Sequence, residues 1–437
     1  MIALIRVHRL QSLMAAGLGL LALIGWVQPA LLPPGLLVMA LGLAVALAVI
    51  YPIGAVVIWL LIVQSTPEMW LSDLIGHHEL IIGLLKGAGL LLALIAALRF
   101  GARIDRFNPG FAFGAMFAGG IVHGLYPGLS LLSSLRSLVG SAGPFAFNFA
   151  RLPQAWCRAV IRATIVGPLC TVGFGLMLTA GGWHPFYTSE LGAIRFCASS
   201  HPAFLGGFAL TAIYAGLLQL VRTGAMAERA WLLVNILILT ATGARAPLFL
   251  GTLVTLLVLL FARTPALPWR ARLHMLLAGA GMLGLLLIFA PDLHIIRVID
   301  LLHLGDAADL SNRNLVWPYF EAAIAASPWL GWGVGAGKII VPLHVGVGAL
   351  IGTNAAHNEY LRIASEGGYI GAGLLVLLLA LWVWHGSRAK PSAERLVLRL
   401  VFLAFAVHSA TDNTLIATTS SVFFTWASAA FAQDGIS

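Results

Sequence analysis

Along the chain, apolar runs of membrane-spanning length alternate with short clusters of charge, Pro and Gly. They place candidate spans at roughly 10–27, 33–49, 51–66, 79–98, 109–126, 129–148, 163–181, 203–221, 230–243, 244–262, 274–290, 367–385, 397–411 and 417–433. Several are short, notably 51–66, 230–243 and 397–411, so the pattern predicts about 12 to 14 helices. The first run follows Arg6 and Arg9 and reaches Trp26 with no small-x-small cleavage site after it, so it is expected to stay as an uncleaved helix. The expected fold class is all-α: a polytopic membrane protein, a single domain over 1–437.

One polar stretch breaks this pattern. Ala356-His357-Asn358-Glu359-Tyr360-Leu361-Arg362-Ile363-Ala364-Ser365-Glu366-Gly367-Gly368 leads into an apolar run from Ala372 to Val383. At helical spacing His357, Leu361 and Ala364 share one side and Glu359, Arg362 and Glu366 another. Charges that enter a bilayer together are costly and mark a site.

Composition agrees with the pattern. Apolar residues make up 60% of the chain and charged residues 9%, against about 25% charged in a soluble domain. Cys157, Cys170 and Cys197 form no disulfide framework or metal pair. A net charge of +9 in a soluble chain would suggest nucleic acid; here it divides between the two membrane sides, and no nucleic-acid partner is expected. Segments 1–10, 99–108, 151–162, 222–230, 262–273 and 386–399 hold 17 of the 25 Lys and Arg and only three acids, Asp105, Glu228 and Glu394. By the positive-inside rule they are cytoplasmic, as are both chain ends. The opposite side carries one large loop, 291–358, too long for a plain connector.

Arginines on that opposite side are candidates for an anionic ligand. Arg245 stands in Thr240-Ala241-Thr242-Gly243-Ala244-Arg245-Ala246-Pro247, at a helix break between two apolar runs. Arg195 precedes the run that starts near Pro202, and Arg313 opens Arg313-Asn314-Leu315-Val316-Trp317. The residues after Arg313 predict a short amphipathic helix with Leu315, Tyr319 and Ala322 on one face. Gly331-Trp332-Gly333-Val334-Gly335 is no dinucleotide motif, lacking a βαβ context, and is expected to be a tight loop returning the chain to His357. Lys86 and Arg136 fit helix pairing or snorkelling and are not assigned a role. Asp300, Asp306 and Asp309 match no calcium loop, so no metal or other cofactor is expected.

These parts fit one chemistry. Arginines bind a pyrophosphate bidentately and stabilise it as a leaving group. A neutral histidine accepts the proton of an attacking hydroxyl. That is glycosyl transfer from a polyprenyl-diphosphate donor. A transporter lined by the same residues is the alternative from another class.

Thr242-Gly243-Ala244-Arg245, Arg313-Asn314-Leu315-Val316-Trp317, Ser327-Pro328 with Gly331-Trp332-Gly333-Val334-Gly335, and His357-Asn358 with Leu361, Glu366-Gly367-Gly368 and Gly371 resemble the O-antigen ligase and polymerase family of bacterial envelope proteins. The resemblance covers roughly 160–385. Ala203 after Pro202 and Ala244 before Arg245 depart from its pattern. It implies a GT-C-like membrane glycosyltransferase of the inner membrane, its active site facing the periplasm. The donor would be undecaprenyl-diphosphate-linked glycan and the acceptor the lipid A–core, with membrane lipids around it. By the same resemblance His357 is the catalytic base, Arg245 and Arg313 bind the donor diphosphate, and Arg195 assists. A moderate outer loop and a short C-terminal tail favour the ligase branch; an O-antigen polymerase or a protein O-oligosaccharyltransferase is the alternative within the family.

Overall fold

The computed structural model describes residues 32–72, 78–190, 193–289 and 315–433. The expected span 10–27, Arg297, Arg313 and the acidic stretch from Asp292 to Asp309 lie outside the described residues. The chain divides into two units between Val56 and Val57, and the site described below belongs to the second.

The described helices are α1 (Leu32–Ile50), α2 (Pro52–Gln64), α3 (Pro67–Trp70), α4 (His78–Phe100), α5 (Gly110–His123), α6 (Leu131–Ala142), α7 (Gln154–Ala180), α8 (Pro202–Thr223), α9 (Met226–Thr242), α10 (Arg245–Phe261), α11 (Trp269–Phe289), α12 (Trp317–Ala326), α13 (Gly346–Ile351), α14 (Glu359–Arg388), α15 (Ser392–Ser409) and α16 (Thr418–Ala432). The protein is an all-α polytopic membrane protein. Among the described residues α4, α7, α8 and α14 are long and apolar enough to cross a bilayer, and α2, α5 and α10 are shorter apolar helices. Leucines 80, 84, 94 and 98 of α4 are exposed, as a lipid-facing stripe requires.

Helix α8 is apolar on every side, and nearly all of it is buried, against α7, α9, α10, α15 and α16. Helix α14 packs against α5, α12 and α15. Among the described residues, the basic segments gather at one end of the bundle. Arg222 near the end of α8 pairs with Glu394 at the start of α15 (Nη2–Oε2 2.7 Å). Arg162 reaches Glu228, Arg151 N–H donates to Gly101 O, and Thr264 Oγ1 donates to Val221 O.

Two expectations need correction. The span drawn at 129–148 is two elements, because Gly143-Pro144 stops α6 and a 3-10 helix covers Gly143–Phe149. Helix α6 turns Ser134, Ser137 and Ser141 inward, Ser134 Oγ donating to Val334 O at 2.7 Å, and Leu131, Leu132 and Leu135 outward. A two-stranded hairpin, β1 (Tyr187–Glu190) with β2 (Ala193–Phe196), pairs Thr188 with Arg195 where no strand was expected. Its Tyr, Thr, Ile and Phe residues suit a strand. Helix α12 exists, but its packed face is Phe320, Ala323 and Ile324, while Leu315, Tyr319 and Ala322 are exposed. A small apolar core of Val316, Phe320, Ala323, Ala336, Ile340 and Ala356 holds it there.

The glycine loop and the glycine pair of α14 explain each other. Gly368 takes φ 60° and ψ −170° and breaks α14. The break frees backbone groups that lipid cannot satisfy, and the 328–333 segment satisfies them. Trp332 N–H donates to Ser365 O (2.9 Å) and Gly333 N–H to Glu366 O (2.8 Å), while Tyr369 N–H donates to Pro328 O (2.7 Å) and Ile370 N–H to Trp329 O (3.3 Å). Gly331, Gly333 and Gly335 all have positive φ, the tight loop expected from their spacing.

Candidate functional site

The site is built at the head of α14. Asn358 caps the helix, its Oδ1 accepting from the N–H groups of Tyr360 and Leu361 at 3.0 and 3.3 Å. His357 therefore stands outside the helix, not on its face, at φ +47° in the left-handed region. For a histidine this is a strained conformation that its surroundings must enforce. Trp317 does part of that work, its Nε1 donating to Ala356 O at 3.0 Å.

The imidazole has partners on both nitrogens. Nδ1 lies 3.7 Å from Asp412 Oδ1 and 3.5 Å from Asn413 Nδ2, and Nε2 lies 3.5 Å from Thr353 Oγ1. The carboxylate favours a proton on Nδ1 and the carboxamide disfavours it; the charged partner is the stronger. That tautomer leaves the lone pair on Nε2, available to accept a proton. Asp412 also faces His408, with Oδ2 to Nε2 at 3.6 Å. Burial pushes the Asp412 carboxyl up, but the hydrogen bond with His357, the field of His408 and the Asn413 N–H together hold it at about 2. It is a carboxylate at any working pH.

The other charges of the polar stretch are scaffold. Arg362 donates from Nε to Glu359 Oε2 (2.6 Å) and from Nη1 to Glu366 Oε2 (2.9 Å), and all three are buried. Glu359 Oε1 accepts from Leu415 N–H at 2.7 Å, and Glu366 Oε1 from Gly337 N–H at 3.3 Å. The triad thus ties the head of α14 to the 410–417 turn on one side and to the glycine loop on the other. Tyr360 is exposed and donates to Ala406 O.

The described arginines Arg195 and Arg245 meet at one turn of the backbone. Arg195 on β2 is buried, and its Nε donates to Thr242 O at 3.0 Å, so it lies against the Gly243 turn that Arg245 follows as the first residue of α10. This turn and the histidine turn share one end of the bundle through the start of α8. A Cβ added to Gly206 would stand 2.8 Å from Ala244 Cβ, and one on Gly207 2.9 Å from Thr419 Cγ2, one residue into α16. Arg313 lies outside the described residues. Sequence reasoning missed Asp412, His408 and Asn413. Their signal was a polar turn, Thr411-Asp412-Asn413-Thr414, between two apolar runs and on the membrane side of the large loop.

A groove of about 420 Å³ opens beside this site and runs between α14 and α15. Glu359, Tyr360, Ser409 and Leu415 line its upper end, and Trp384 and Arg399 its far end, with Leu379, Val383 and Phe402 along its walls. The Arg399 guanidinium lies 4.4 Å from the centre of the Trp384 ring.

Comparison with known proteins matches residues 230–376 to the family model described as O-antigen ligase, Wzy_C. No curated protein matches the chain. The matched span begins in α9 and ends within α14, so it contains the Gly243 turn, Arg245, the glycine loop and His357.

Proposed function

We propose that this chain, whose residues 230–376 match the O-antigen ligase family model, is a membrane enzyme of the ligase and polymerase type acting on lipid-linked glycan, and within that type an O-antigen ligase. It would move glycan from undecaprenyl diphosphate to the lipid A–core on the periplasmic face of the inner membrane. The observation that carries this reading is the Asp412–His357 pair, with its 3.7 Å Nδ1–Oδ1 contact, at the bundle end that also bears the Arg195–Thr242 turn.

On this reading Nε2 of His357 takes the proton of the acceptor hydroxyl as its oxygen attacks the anomeric carbon. The bond from that carbon to the phosphate oxygen breaks, undecaprenyl diphosphate leaves, and the configuration inverts. Arg245 and Arg313, with Arg195 assisting, bind the diphosphate and stabilise the charge that develops on it. The groove between α14 and α15 supports the rest of the reading: it is apolar along its length, opens beside the histidine turn, and suits the donor's prenyl tail.

The test is complementation of a strain lacking the gene, with wild type and with His357→Ala at equal expression. Wild type restores a ladder of glycan on the lipid A–core, and His357→Ala lowers transfer by about 10²–10⁴-fold, the worth of a general base, with lipid-linked glycan accumulating. Cores that carry a single repeat unit in the deletion strain would make the protein a polymerase. Full activity of His357→Ala would remove the histidine from the mechanism.

A further inference from the structure

The 410–417 turn brings Asp412 and Asn413 to His357, and its own threonines tie it to the end of α15, Thr411 Oγ1 donating to His408 O at 3.1 Å and Thr414 Oγ1 meeting Ser409 Oγ at 2.6 Å. Charge from two other helices fixes it further. Glu359 accepts the Leu415 N–H at 2.7 Å. Lys86, well inside α4, donates from Nζ to the carbonyl of the next residue, Ile416, at 2.8 Å, and to Gly140 O at 3.3 Å. One residue after the turn, Thr418 Oγ1 donates to Glu68 Oε1 at 2.5 Å, and Glu68 is buried. An anion thus holds an N–H and a cation holds a C=O on consecutive residues. Only Thr414 separates them from Asn413, and Thr414 is fixed in turn to Ser409 by a 2.6 Å hydroxyl contact.

An ammonium within an apolar helix has a large desolvation cost unless something compensates it. The hydrogen bonds of Lys86 reach backbone carbonyls, not a carboxylate, although Glu68 and Glu359 are the nearby acids whose fields act on it. Helix pairing alone explains the bond to Gly140 on α6. It does not explain the shorter bond to the turn that carries the histidine's partner.

We propose that Lys86 is a positioning residue of the transfer reaction, which with Glu359 clamps the Leu415–Ile416 segment at its outer N–H and C=O and so sets Asp412 and Asn413 against His357. The inference rests on the catalytic reading of His357. Lys86 touches no reacting atom and acts through the turn.

The test uses the full-length protein in lipid nanodiscs, with transfer followed at varied donor concentration. The variants are Lys86→Met, Lys86→Gln, Asp412→Asn, and Asp412→Asn combined with each Lys86 change. Lys86→Met is expected to lower kcat about 10–100-fold, a share of the general-base effect, while donor KM stays within about twofold. Lys86→Gln, which keeps one donor for Ile416 O, falls between it and wild type. The double variants should be no worse than Asp412→Asn alone, because both changes act through one contact. A packing role would instead give losses that multiply in the double variants, and that outcome overturns the proposal. So does a Lys86→Met or Lys86→Gln enzyme with wild-type kcat. Should Lys86→Met not fold, the cycle with Lys86→Gln decides alone. If Asp412→Asn and His357→Ala are also fully active, the catalytic reading has failed; if they are inactive while Lys86→Met is not, only the clamp has failed.

Discussion

At the scale of residues, the site depends on one histidine whose backbone is strained and whose ring is oriented by a neighbouring turn. Asp412 has its carboxyl held down at about 2. A group depressed in this way contributes stability above its unfolded value and loses it only as pH falls through the folded one, so the pairing persists throughout any assay range. Asp412→Asn is therefore expected to lower kcat about 10–100-fold by loosening the tautomer and orientation of His357. An unchanged kcat would separate Asp412 from the chemistry. His357 itself was legible because a polar cluster in an apolar chain stands out. Asp412 was not, because its relation to His357 is made by packing between α14 and α15 and leaves no local spacing to read.

At the scale of elements, most helices followed from the apolar runs, because lipid leaves a backbone few other choices. The errors arose where tertiary contacts decide. The packed face of α12, Phe320, Ala323 and Ile324, is set by a core made by residues far along the chain. The hairpin carrying Arg195 is too short to announce itself beside long apolar helices. The glycine loop was read correctly as a tight return, yet its second role as the partner of a broken helix needs the contact with Gly368 to be seen. Gly368→Ala tests that contact. The new Cβ would lie 2.2 Å from the Trp329 carbonyl carbon and the backbone would be held at φ 60°. Destabilisation should exceed the roughly 1–3 kcal/mol of a strained backbone alone. It would appear as a lower thermal midpoint in detergent and as proteolysis within 328–333. An unchanged midpoint would mean that α14 can run straight.

At the scale of the whole molecule, charge placement and geometry agree. The described basic segments meet one another through Arg222–Glu394, Arg162–Glu228 and Thr264–Val221, while the histidine and the Arg195–Thr242 turn occupy the end where α8 and α16 begin. The groove between α14 and α15 joins the two ends, and its role can be separated from that of the site. Ala380 lines it about 30 Å along α14 from Glu359, at about 1.5 Å per residue. On the proposed reading Ala380→Trp should raise KM about tenfold for a full-length prenyl donor, the worth of roughly two buried methylenes. A short-prenyl donor, whose tail does not reach that depth, should be unaffected. Equal effects on both would take the tail out of this groove. The groove was not legible in the sequence, where α14 and α15 differ little from any other apolar pair.

The break in α14 also serves as a depth gauge. Beyond Gly368 the helix continues to Arg388, a length of about 30 Å and so about the thickness of the hydrocarbon layer. What precedes the break, Glu359, Arg362 and Glu366 included, is left over for the boundary between lipid and water. The charges that look intramembrane along the chain are thus raised to the height of the headgroups. On the proposed reading, that is where a sugar hydroxyl and a diphosphate would meet while the tail of the same donor stays in oil.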